Sequence, residues 1–68
     1  MRYTVVYEHT SRGYSAYVPD LPGCVATGRT RAEVETRIRE AMNLHLDGLR
    51  EEGHSAPEPQ TWTELVEA

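Results

Sequence analysis

Sixty-eight residues with a mass of 7.7 kDa leave room for one hydrophobic core, and a compact chain of this mass exposes about 4,300 Å². Eleven acidic residues against seven arginines and no lysine give a net charge of −4 and a pI of about 5.2, which excludes the broad basic surface that non-specific nucleic-acid binding needs. No apolar run approaches the roughly 18 residues that span a bilayer, and a lone Cys24 cannot close an internal disulfide, so a cytoplasmic chain without structural disulfides is expected.

Arg2 to His9 is predicted as a strand, because Tyr3, Val5 and Tyr7 alternate with Thr4, Val6 and Glu8. Thr10 to Gly13 supplies a turn, and Tyr14, Ala16 and Val18 alternate with Ser15 and Tyr17 in a second strand, antiparallel to the first. Pro19-Asp20-Leu21-Pro22-Gly23 cannot continue a ladder, since both prolines lack an amide donor. A short third strand is expected over Cys24 to Gly28.

Thr30-Arg31-Ala32-Glu33 matches a capping box, with Glu33 expected to reach back to the Thr30 amide, and opens a helix from about Arg31 to Glu52 that Gly53 ends. At 100° per residue, Val34, Ile38, Ala41, Met42, His45 and Leu49 fall on one stripe and form the expected core face. Ser55 to Gln60, with Pro57 and Pro59, reads as an extended linker. Trp62 to Val66 reads as a fourth strand returning to the sheet, with a helical turn opened by Thr61 as the alternative. The architecture expected is therefore α+β: a two-layer antiparallel β-β-β-α-β sheet covered on one face by a single long helix, forming one module over residues 1–68.

The chain offers little chemistry. His9, His45 and His54 lack metal-ligand spacing, and His45 and Asp47 diverge on the helix. Asp20 has no companion carboxylate; it is expected to accept amides from the following turn or to face a basic partner. Cys24 alternates with Ala26 toward the interior and reads as an inert thiol. Gly23 and Gly28 complete neither nucleotide-binding glycine fingerprint. Gly48 interrupts the helix at a cost of roughly 1 kcal/mol, as a tolerated defect or a point of close backbone approach. No catalytic residue, metal site or cofactor is expected. Tyr14 and Tyr17 must point to opposite sides of their strand, leaving one on an outer face suited to association.

The run Gly13-Tyr14-Ser15-Ala16-Tyr17-Val18-Pro19-Asp20-Leu21-Pro22-Gly23-Cys24, then Gly28 and Thr30, a helix ending near Gly53 and the distal Pro57-Glu58-Pro59, resembles the HicB-type antitoxin family over nearly the whole chain. The resemblance implies a partial RNase H-like fold without nuclease chemistry, which binds and suppresses a small basic toxin ribonuclease of double-stranded-RNA-binding fold. It carries Tyr14, Tyr17, Asp20, Leu21 and Cys24 as members of the characteristic segment. Tyr14, Tyr17, Asp20 and Leu21 are the partner-facing candidates. Family members usually append a DNA-binding region; the sequence stops at Ala68, so no direct nucleic-acid contact is expected from it. A homo-oligomer, dimeric or higher, is expected from the small core and the tyrosines, and a free-standing oligomeric scaffold without a toxin partner is the competing reading.

Overall fold

A computed structural model describes residues 1–68. Three antiparallel strands, β1 (Val6–Thr10), β2 (Gly13–Tyr17) and β3 (Val25–Gly28), form a sheet in that order, followed by helix α1 (Arg31–Glu51). The β1–β2 register pairs Val6 with Tyr17 and Thr10 with Gly13; β2–β3 pairs Tyr14 with Gly28 and Tyr17 with Val25. The hairpin needs Gly13 twice over. Its φ is 153°, and a Cβ there would run into the Gly28 carbonyl and lie 2.8 Å from Arg29 Cα.

The first strand is shorter than the alternation of Arg2 to His9 suggested. Its partner β2 ends at Tyr17, opposite Val6, because the next residue that would face β1 is Pro19, which has no amide; Val18 faces β3, where its amide donates to the Cys24 carbonyl at 3.1 Å and closes a turn. Within that turn the Leu21 amide donates to Val18 O and the Cys24 amide to Leu21 O, both at 3.0 Å. These bonds drive the Leu21 side chain into the core, where it is fully buried.

Helix α1 begins at the expected cap, where Thr30 Oγ1 accepts the Glu33 amide at 3.1 Å. The returning carboxylate reaches one residue further than a standard box: Glu33 Oε1 accepts the Arg29 amide at 3.0 Å. At the other end Gly53, at φ 80°, donates to Arg50 O, and His54 donates to Leu49 O at 2.8 Å. This 5→2 and 6→1 pair is a Schellman motif, which satisfies carbonyls the helix would leave unpaired.

The core comprises Ala16, Val18, Leu21, Cys24, Val34 and Ile38, with Tyr3, Val5, Tyr14, Ala26, Ala41, Met42 and Leu46 packed around it. Val34, Ile38, Ala41 and Met42 are the expected helix face. Leu46, rather than His45 or Leu49, completes it. A 21-residue helix is about 31 Å long, whereas a five-residue strand spans only about 17 Å, so the last turns of α1 overhang the sheet. The core contact follows the i, i+4 row Val34-Ile38-Met42-Leu46, which leaves His45 and Leu49 half-buried beside it.

The expected fourth strand over 62–66 does not form, and neither does the alternative helical turn. Residues after His54 join no backbone ladder. Side chains hold the tail instead: Tyr3 Oη donates to Pro57 O at 2.6 Å, Thr4 Oγ1 donates to Thr61 O at 2.8 Å, and Asp20 takes the Gln60 and Thr61 amides. The main-chain groups that would open a ladder are thus consumed just before Trp62. The surface totals 5582 Å², well above the roughly 4,300 Å² of a compact chain of this mass.

Candidate functional site

The helix side of the sheet is fixed by Ala16, so its neighbours Ser15 and Tyr17 point to the other face. The register then places Val6, Tyr17 and Val25 in one row across all three strands on that outer face, with Glu8, Ser15 and Thr27 in the next. No second layer covers this face. Tyr17 is 40% exposed and Val25 65% exposed, so the apolar row ends on the open edge of β3. A polar row flanking an apolar one, with a tyrosine at its centre, is the composition of a wet protein interface.

The four partner-facing candidates occupy different environments. Tyr17 stands on the outer face. Tyr14 lies on the helix side, half-buried, its ring 4.8 Å from that of His9, its cross-strand neighbour. Leu21 is a core residue, so its apolar side chain builds the loop from within and presents no surface. Asp20 directs its carboxylate into the chain: Oδ2 accepts the Gln60 amide at 3.1 Å and the Thr61 amide at 3.0 Å, while Oδ1 accepts Thr61 Oγ1 at 3.0 Å. The Thr61 amide, ahead of the other two donors, lowers the carboxyl pKa below its ordinary 3.8, outweighing the opposing effect of burial.

The amides expected to satisfy Asp20 from the adjacent turn come instead from forty residues away. Gln60 and Thr61 were invisible as partners because nothing in their local sequence marks them as donors to this loop. Trp62, Leu65 and Val66, expected in a fourth strand returning to the sheet, are 83%, 103% and 76% exposed just beyond the clasp.

Cys24 is 3% exposed, and burial raises its thiol pKa, which disfavours the nucleophilic thiolate. No three His, Cys, Asp or Glu side chains converge as a metal-ligand set. No helix is long and apolar enough to cross a membrane. Fold and surface together define a small α+β module with an uncovered sheet face suited to binding.

The family model described as the HicB-like antitoxin of bacterial toxin–antitoxin systems matches residues 3–68. The chain belongs to that family. It is 35% identical over 57 residues to a 14.9 kDa protein of Haemophilus phage HP1, covering 84% of this chain and 43% of that one. It is 33% identical over 61 residues to antitoxin HicB 2 of Photorhabdus laumondii, covering 90% of this chain and 44% of that one. The chain thus spans less than half the length of these two relatives. A chain in the solved HicA3 and HicB3 toxin–antitoxin complex superposes with a TM-score of 0.72 at 32% identity, covering 87% of this chain and 70% of that one.

Proposed function

We propose that this module acts without catalysis, binding a small basic HicA-type toxin ribonuclease and neutralising it by occlusion in the cytoplasm. The observation that carries this reading is the likeness, over most of the chain, to a chain of a solved toxin–antitoxin complex. Two features of the surface support it. The Val6-Tyr17-Val25 row offers uncovered apolar area, and the net charge of −4 favours encounter with a basic partner. Inhibition of this kind requires only that the toxin's RNA-binding surface be covered.

Co-expression with the product of the adjacent gene, where that product is a small basic ribonuclease, tests the reading. A complex that survives size-exclusion chromatography, and that is lost on replacing Tyr17 and Val25 together by Asp, is the expected result. Failure of any complex to form would leave the free-standing oligomer as the better account, a reading favoured by the large exposed surface.

A further inference from the structure

Two surfaces of this chain lack partners and complement each other. The first is the tail. Residues 62–67, Trp-Thr-Glu-Leu-Val-Glu, form no helix or strand, donate to and accept from no backbone group, and expose Trp62, Leu65 and Val66. From Glu51 to Ala68 the chain carries five glutamates and no arginine.

The second is the outer edge of β3. Val18 and Cys24 share a ladder bond, so alternation pairs Ala16 with Ala26 and Tyr14 with Gly28 through hydrogen bonds and turns the N–H and C=O groups of Val25 and Thr27 outward. Arg37 Nη1 donating to Thr27 O at 3.1 Å from outside the ladder agrees with that direction. The remaining edge groups are open. At the end of this edge lies a hollow of about 570 Å³ lined by Thr10, Arg12, Tyr14, Arg29, Glu33 and Arg37 among others. Arg37 is paired with Glu33 at 3.2 Å, whereas Arg12 and Arg29 pair with no carboxylate of the chain. An acidic protein therefore keeps two uncompensated guanidinium groups beside an unpaired strand edge.

We propose that residues 62–67 of one copy add as a strand to the β3 edge of a second copy, with Glu64 meeting the Arg12–Arg29 hollow. The occupant is a second copy because both halves of the contact, the acidic apolar strand and the basic strand edge, lie on the same chain. Area agrees: this fold exposes roughly 1,200 Å² more than a compact chain of its mass, against about 800 Å² per partner in a standard interface. Strand addition also satisfies the backbone groups of both segments. The contact is independent of any toxin, so its test uses the chain alone.

Trp62 is the only tryptophan and reports the contact directly. Sedimentation equilibrium across micromolar concentrations, with Trp62 emission read on the same samples, is expected to show dimerisation accompanied by a blue shift. Glu64→Arg and Arg29→Glu are each expected to weaken the dimer about tenfold or more, and their equimolar mixture or the double variant to restore it. Val25→Pro removes an outward amide while sparing the β2–β3 ladder, and should abolish the dimer in a folded chain. A monomer at every concentration would overturn the proposal. So would a dimer that both charge reversals leave intact and in which Trp62 emission does not move.

Discussion

Asp20 and Thr61, forty-one residues apart, are joined by two hydrogen bonds of 3.0 Å, one from the threonine amide and one from its hydroxyl. With the Gln60 amide on the same carboxylate, this contact replaces a strand pairing as the fastening of the tail. Asp20→Ala should therefore loosen residues 60–68 without unfolding the sheet or helix, while Tyr3 still holds Pro57. Hydrogen exchange is expected to lose protection at the Gln60 and Thr61 amides while the α1 amides keep theirs. Unchanged protection at those two amides would remove Asp20 from this role.

The same clasp sets a pH dependence. The Asp20 pKa is lowered in the folded chain, chiefly by the Thr61 amide, so the unfolded chain takes up the proton first as pH falls. The stabilisation is complete above the ordinary value of 3.8 and is lost as pH drops through the lower folded value. An NMR titration should show the Asp20 carboxyl and the Gln60 and Thr61 amides changing together, with a midpoint below 3.8. A midpoint at or above it would contradict the clasp.

Leu21 and Leu44 separate burial from hydrophobicity. Leu21 is fully buried, so Leu21→Ala should cost about 2–5 kcal/mol in denaturant unfolding, enough to threaten a domain this small. Leu44 is 74% exposed on α1, and Leu44→Ala should change stability by no more than about 0.5 kcal/mol.

Gly28 lets β3 approach the helix. A Cβ there would lie 2.7 Å from the Val34 amide nitrogen, a backbone atom that cannot rotate aside. Gly28→Ala should destabilise by about 1–3 kcal/mol through a shift of α1 against the sheet, read as a lowered unfolding midpoint. Gly48→Ala meets nothing within 4 Å, and gains about 1 kcal/mol of helix propensity instead. The interruption at Gly48 is thus a tolerated defect within the single chain.

Cys24 should react with thiol reagents only when the core opens. Its modification rate is expected to follow the global unfolding equilibrium, and rapid labelling of the folded chain would contradict its burial.

Local signals made most of the architecture legible. The alternation around Tyr14 to Val18, the Thr30 cap and Gly53 each specify geometry within a few residues, and the structure keeps all three. The misreadings lie where distant groups decide. Trp62 to Val66 has strand composition, yet the tail's backbone is claimed at residues 57, 60 and 61 by Tyr3, Thr4 and Asp20. His45 and Leu49 fit the apolar stripe, but the helix meets the core along the row Val34-Ile38-Met42-Leu46, which passes beside them. For the candidate site, strand alternation parts Tyr14 from Tyr17, and the burial of Ala16 then assigns Tyr17 to the outer face. The fate of Leu21 was not legible in this way, because a loop of two prolines and a glycine has no period from which to read a direction.

The central claim is that this chain acts by covering a partner. Titrating it into a small basic ribonuclease encoded by an adjacent gene, with RNA cleavage as the readout, tests that claim most directly. Activity falling linearly to zero at a fixed stoichiometry, with no RNA or nucleotide turned over by this chain alone, is the expected result. Cleavage that continues undiminished at molar excess would contradict it.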